Sequence, residues 1–553
     1  MDLKDFLARW RQLSTKSDAD SAAGGAAGGG GVGSGGAASA GSAGADAASS
    51  AAISTPSAVG RTLLIHGYSA NGEDLIPWHD ALEAAGITTI PIAVGNYVTL
   101  NNEVTIKDLG EAFDRALRFT PWSSGSKDDQ WTFDAVVHST GMLVLRQWLT
   151  SDPYPRGDPR SRIRRLKHLV GLAPATFGSP QAKQGRSWLG ALVKGNKHLG
   201  PDFLNAGNQV LDGLELGSRY TWELTHKDMV CPTPLYGKGS DTPYVTVFIG
   251  NIGYQGIDAL ANSPGSDGTV RWAGCALNTR KVSVDLRREP KLTDGNGKPL
   301  VDANGIPMRC NITPWEANRL AVPMIAVDEK NHGSIVENPD PGVIDLMKRF
   351  FGIADAGSYD AWEKDALAWG QAALDKMNAE SQNGDNGGAG WQQLVVHVTD
   401  DHGDGVGDYN LQLYIGDNLA QSDDPDFPAV PLIADTYSGD GSYRCFYVRL
   451  TPEMLALNTP GGQKKKMWLE IIASSGSDMI EYEAYTGQPG DAQPLTIDHT
   501  RQTPVKLDLT PLAQGDQTLL YPYTTTLLEV FVEREPTPLG DVSQLFNFLP
   551  KTV

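Results

Sequence analysis

Between residues 61 and 351 the sequence alternates short apolar runs with longer stretches whose apolar residues recur at helical spacing, and no other feature constrains the fold so strongly. The runs fall at 62–65, 87–94, 133–137, 169–173, 245–249, 282–286 and 323–327. Helical spacing fills 74–85 (Leu75, Trp78, Leu82, Ala85), 104–119, 142–149 and 343–351. A strand without a polar face is buried on both sides, and helical crossovers between such strands make them parallel. The spacing therefore predicts an α/β domain, a mostly parallel sheet with helices on both faces.

The remaining chain divides around this block. Residues 1–57 read as an amphipathic helix (Leu3, Phe6, Leu7, Trp10, Leu13) and a tether, since 28 of the 30 residues in 21–50 are Gly, Ala or Ser. So little apolar area cannot offset the entropy of ordering. The α/β domain is expected over 58–355, with an insertion at about 179–235 and turn-rich hairpin material at 289–312. A helix and linker follow over 356–390. Beyond Trp391 the period shortens, with strands expected at 394–398, 411–415, 445–450, 467–472 and 527–532. This predicts a C-terminal antiparallel β-sandwich over 391–553, with 23 acids against nine bases.

A net charge of −20 gives no general attraction for nucleic acid, whose binding rests on Lys and Arg neutralising phosphates. Four cysteines without a CxxC pair exclude a disulfide scaffold, a zinc ribbon and a thioredoxin motif. Cys231 and Cys275 bracket one strand and loop and would form a bridge in an oxidising compartment, but four reduced thiols are favoured. No run of 18 apolar residues is present to span a membrane. The charges near Lys4, Arg9 and Arg11 precede no unbroken apolar segment, so a secretory signal is not expected and residence defaults to the cytoplasm. The amphipathic start and tether are also compatible with a signal-independent export route, such as injection into neighbouring cells by a contractile secretion system.

Ser139 falls where a predicted strand meets a predicted helix, in His138-Ser139-Thr140-Gly141. A sharp turn there exposes a hydroxyl at the carboxyl edge of the sheet and brings up the free N–H groups of the following helix. Gly141 lets that helix close on the strand. A serine hydroxyl needs a histidine base, and that histidine needs an acid to hold its tautomer. His332, after the last α/β strand, supplies the base, and Asp267 in Ser266-Asp267-Gly268-Thr269-Val270 supplies the acid. Asp328, four residues before His332, is the rival acid, and Asp267 is preferred. His66-Gly67 ends the first strand, which places the backbone N–H of Tyr68 beside that of Thr140 as an oxyanion hole, with His66 supporting the loop. Ser139 and Asp267 have plain alternatives, a helix cap and a turn, while His138 is read as a packed sheet residue rather than a catalyst. His226, His397 and His402 are read as surface or structural.

These pieces, with Leu172-Ala173-Pro174, Gly178-Ser179-Pro180 and Asn331-His332, resemble the α/β-hydrolase superfamily over roughly 58–355, and within it bacterial lipases, esterases and a phospholipase-like branch. The family's elbow is G-x-S-x-G, and here Val137 stands at the first glycine. The resemblance implies a serine hydrolase acting on carboxylic esters of lipids through an acyl-enzyme, with no cofactor and no metal. An acyltransferase, thioesterase or polyester hydrolase would use the same triad, and a non-catalytic binding protein working through the β domain is the rival of another class.

Three further features bear on substrate and partners. Trp188, Leu189, Leu192, Val193, Phe203, Leu204, Leu211, Leu214, Tyr220 and Trp222 make the insertion apolar, which suits a cap over an acyl chain, although packing on the domain beneath explains any one of them. Arg156, Arg160, Arg162, Arg164, Arg165 and Lys167 form a basic run, read first as a solvated helix end and second as a contact for phosphate or a membrane surface. Asp400, Asp401, His402, Asp404 and Asp408 form an acidic loop, read as a turn ahead of a calcium site. No feature names a protein partner.

Overall fold

The computed structural model describes residues 61–66, 75–92, 103–118, 131–151, 160–186, 208–238, 241–255, 262–288, 301, 311–313, 320–379, 388–416, 429–456, 466–477, 479–486, 495–496, 504–509, 512 and 520–536. The N-terminal helix and tether lie outside these residues. So do Gly67, Tyr68, Arg156, Cys310 and the part of the insertion from Trp188 to Leu204.

In chain order the strands are β1 (Thr62–Ile65), β2 (Thr89–Ile92), β3 (Phe133–His138), β4 (Leu166–Leu172), β5 (Tyr244–Gly250), β6 (Thr279–Asp285), β7 (Ile312–Thr313) and β8 (Met324–Val327). The second half adds β9 (Trp391–Asp400), β10 (Asp408–Gly416), β11 (Leu432–Thr436), β12 (Tyr443–Arg449), β13 (Lys466–Ser474), β14 (Ile480–Ala484), β15 (Leu495–Thr496), β16 (Val505–Asp508) and β17 (Thr524–Pro536). The described helices of nine residues or more are α1 (Ile76–Ala84), α2 (Ile106–Arg118), α3 (Gly141–Thr150), α4 (Arg219–Asp228), α5 (Pro341–Phe350) and α6 (Ala356–Ala379).

Six strands form one sheet in the order β2-β1-β3-β4-β5-β8, and every neighbouring pair is parallel. The protein therefore has an α/β half built on a parallel sheet with helices on both faces, followed by a second, mainly antiparallel half. Alternation along each strand splits its side chains between two cores. Leu63, Ile65, Ala135 and Val137 join α2, α3 and α4 on one face, while Leu64, Val136 and Val170 join α1, α5 and the start of α6 on the other. The helices follow from apolar spacing: α2 buries Ile106, Leu109, Phe113 and Leu117 on one stripe. Each such side chain contributes about 1.5–3 kcal/mol by leaving water.

Part of the basic run belongs to this core. Arg162 is buried, donates to the carbonyls of Trp148 and Ser151, and faces Asp114 at 3.3 Å. Arg165 is buried with its guanidinium 4.8 Å from the Trp131 ring centre. These two arginines pack against α2, α3 and the residue leading into β3, so the run is not a uniform solvated patch for phosphate or a membrane surface.

Strand β6 departs from the sequence reading. It lies outside the six-stranded sheet and runs parallel to β17, the last strand described. The reason is visible in its residues: Lys281, Ser283 and Asp285 alternate with buried Val282, Val284 and Leu286, so it has one polar face and suits a sandwich better than a doubly covered sheet. Strand β7 returns antiparallel to β6, as a hairpin requires, while most of the residues between them lie outside the described set.

In the C-terminal half β10-β13-β16 form one sheet and β11-β12-β9-β17-β14-β15 the other. The pairs are antiparallel except that β17 runs parallel to both β9 and β6. Val396, Val398, Leu411, Leu469, Ile471 and Val530 bring both sheets into one core. In the acidic loop, Asp400 Oδ1 accepts the N–H groups of His402 and Asp404, and Arg534 lies 3.3 Å from its other oxygen, so the loop is a turn with its own donors. Cys231, Cys275 and Cys445 are free thiols, and the Cys231–Cys275 bridge is not formed. Among the described residues no helix is long and apolar enough to cross a membrane.

Candidate active site

The end of β3 carries the site. Ser139 follows it with φ +50°, a left-handed conformation that costs a non-glycine residue free energy and persists where the surroundings enforce it. The enforcing contacts are local: the Ser139 N–H donates to Leu172 O at 3.4 Å, and Ser139 O accepts from Ala175 N at 3.0 Å. Thr140 is the N-cap of α3 and its side chain makes no capping bond, so the cap alternative for Ser139 does not hold. Gly141 meets β1 so closely that a Cβ there would lie 2.6 Å from Ile65 O. At the first glycine position of the family pattern, the Val137 side chain is fully buried within the core beside α3.

Three residues far apart in the chain converge. Ser139 Oγ lies 3.1 Å from His332 Nε2, and His332 Nδ1 lies 2.9 Å from Asp267 Oδ2. A carboxylate can only accept, so Nδ1 carries the proton and Nε2 is left to receive one from the serine. Asp267 is fully buried, and its other oxygen accepts the N–H groups of Thr269 (3.0 Å) and Val270 (2.8 Å). The His332 N–H donates to Asp267 O at 2.9 Å, fixing the two loops to each other. Of the two candidate acids, Asp267 is the one that meets His332. Asp328 instead binds Lys376 at 2.5 Å and Asn251 at 2.8 Å, and these bonds hold its carboxyl below the usual range.

His138 is buried behind the imidazole, with ring centres 4.8 Å apart, and its Nε2 lies 3.2 Å from His332 O. A carbonyl only accepts, so Nε2 is the donor. Burial, with His332 and His66 nearby, pushes the His138 pKa well below its usual value, so the ring is neutral. His66 meets His138 edge to face at 5.2 Å. Thr140 is buried at the head of α3, and Tyr68, the other backbone donor expected from the sequence, lies with Gly67 outside the described residues.

Of the insertion's apolar residues, Leu211, Leu214, Tyr220 and Trp222 are described; Leu211, Leu214 and Trp222 are buried in the core with α2 and α3 and half-buried Tyr220 packs against it, so packing on the domain explains them. The three histidines read as surface or structural are placed so: His397 stacks on Tyr443 at 3.9 Å and burial lowers it to about 4, His226 approaches Glu529 at 3.5 Å, and His402 is exposed. Sequence reasoning missed the contribution of the C-terminal half. Tyr447 on β12 donates to Gly265 O at 2.7 Å, two residues before Asp267, and Arg271 pairs with Asp435 of β11 at 2.6 Å. No local pattern connects residues 265–271 with residues 435–447; the only hint is an arginine directly after the acid's motif.

No protein-family model matches the chain, and no curated protein matches it. Solved structures do. Phospholipase PlaB from Legionella pneumophila aligns at 19% identity over 89% of this chain and 96% of that one, with a TM-score of 0.62. The same phospholipase in complex with thio-NAD aligns at 20% identity over the same shares, again with a TM-score of 0.62. The mature form of lipase BlEst2 from Bacillus licheniformis aligns at 13% identity over 53% of this chain and 94% of that one, with a TM-score of 0.34. The alignments with PlaB extend the shared architecture over both halves of the chain.

Proposed function

We propose that this protein is a serine hydrolase that cleaves carboxylic ester bonds of lipids, a lipase or phospholipase, using Ser139 as nucleophile. The observation that carries the reading is the continuous relay from Ser139 Oγ through His332 to buried Asp267, built on a backbone held at positive φ. Ser139 Oγ attacks the acyl carbonyl as His332 Nε2 takes its proton. Asp267 holds the imidazole and offsets its positive charge. The carbonyl oxygen, now negative, faces the N-terminus of α3, where the N–H of Thr140 serves as a donor, and the family pattern implies the N–H of Tyr68 as the second. His332 returns the proton to the departing alcohol, leaving the acyl group on Ser139. Water, deprotonated by His332, then releases the fatty acid and restores the serine. No cofactor takes part in these steps. The lipid as substrate class is drawn from the phospholipase whose fold this chain shares.

The test is labelling with a fluorophosphonate probe. Wild-type protein reacts and Ser139→Ala does not. A wild-type protein that stays unlabelled overturns the reading and leaves the fold as a binding platform. Release of fatty acid from phosphatidylcholine, compared with p-nitrophenyl esters of increasing chain length, separates phospholipase, lipase and short-chain esterase. Transfer of the acyl group to an added alcohol identifies an acyltransferase.

A further inference from the structure

The turn that carries Asp267 is gripped at both feet by the C-terminal half. Ser266 and Arg271 form a bridge that closes the turn. At one foot, Gly265 has φ +65°, and a Cβ there would lie 2.6 Å from the Trp391 ring and 2.8 Å from the Tyr447 ring. Only glycine allows this approach. The two rings stack at 4.8 Å with 12° between their planes, and the Tyr447 hydroxyl donates to Gly265 O. Tyr447 is fully buried, and burial holds its pKa well above the usual value, so the hydroxyl remains a donor throughout the working range. At the other foot, the buried Arg271 guanidinium lies 4.8 Å from the Tyr447 ring centre and 2.6 Å from Asp435.

We propose that Tyr447, assisted by the Arg271–Asp435 pair, is a positioning residue for the triad: the β half sets the orientation of Asp267, and through it His332. The proposal rests on the hydrolase reading above. It assigns the C-terminal half a part in the rate of the reaction. The mechanics are direct. Gly265, Ser266 and Asp267 are consecutive, and Asp267 is joined to His332 by a side-chain bond and a backbone bond. Gly265 O also accepts from Trp272 N at 2.9 Å, so losing the Tyr447 hydroxyl leaves no orphaned carbonyl. Such a variant frees the turn while sparing the fold.

Tyr447→Phe is compared with wild type on p-nitrophenyl butyrate, in otherwise native protein and in the Asp267→Asn background. The expected result is a kcat lower by about tenfold, the scale of one hydrogen bond acting in the transition state, with KM unchanged. In the Asp267→Asn background the same change is silent, because the group it acts through is gone. Asp435→Asn, which leaves every side chain about the same size, gives a smaller loss of kcat with the same silence. An equal loss in both backgrounds identifies a general structural effect and overturns the proposal, as does an unchanged kcat. Fluorophosphonate labelling of wild type but not Ser139→Ala in the same preparations establishes that the triad reading stands, so either failure is then specific to Tyr447. Absent labelling of wild type fails the triad reading itself.

Discussion

Gly141→Ala tests how closely the site is built. The added Cβ would lie 2.6 Å from Ile65 O, with His66 C and O both at 3.4 Å, and all three are backbone atoms. A van der Waals contact needs about 3.5 Å, so α3 and the end of β1 must separate by roughly 0.9 Å. The residue is not in the left-handed region, so the cost is steric, and helix propensity alone would favour alanine by up to about 1 kcal/mol. Overpacking of this kind costs about 1–3 kcal/mol, which outweighs that gain. The displacement falls between Gly141 in the first turn of α3 and the Ile65–His66 peptide at the end of β1, two residues from Ser139, whose bond to His332 is already 3.1 Å. Misplacement by about 1 Å costs on the order of 10²-fold in rate. Urea denaturation and the rate of fluorophosphonate labelling measure the two effects separately. A variant that labels within about threefold of wild type and unfolds at the same or higher urea concentration refutes the close-contact argument.

Two other perturbations follow from buried charge. Arg146 on α3 and Asp228 on α4 form a fully buried pair at 2.7 Å, with further bonds to Thr176 and Thr225; Arg146→Met strands the carboxylate and is expected to cost about 3–5 kcal/mol in urea unfolding. Burial raises the Glu529 carboxyl, but His226 and Lys281 more than offset this and hold it at about 2. A depressed carboxyl stabilises the fold above the unfolded pKa, so that contribution, at most about 3 kcal/mol, is lost as pH falls from about 4.5 through 2, and Glu529→Gln flattens thermal stability over that window.

The parallel sheet and the candidate triad were legible in the sequence for a physical reason. Strands buried on both faces must be continuously apolar, and a nucleophile elbow must sit at a strand–helix junction, so Leu63–Ile65, Ala135–Val137 and Ser139 announce themselves locally. Asp267 was reached by chain order, while its preference over Asp328 rests in space on a bond to His332 that no spacing reveals. Strand β6 was misplaced because a strand's partner is not written in its own residues, although its alternating Lys281, Ser283 and Asp285 indicated a one-sided environment. The buried roles of Arg162 and Arg165 were hidden for a related reason: a basic run looks solvated until Asp114 and Trp131 are found beside it. The grip of Tyr447 on Gly265 joins residues 182 positions apart and left no local trace.

The parallel pairing of β6 with β17 also sets a timetable for biosynthesis. Ser283 and Glu529, which meet across these strands, are 246 residues apart. At roughly 5–20 residues per second a ribosome takes on the order of 12–50 s to make that interval, so β6 waits through it with one side lacking its final neighbour. The central sheet has all its strands long before then, but the pairing of β6 is completed only once β17 has been made. A newly made chain therefore stays dependent on protection from aggregation until its last described strand is in place.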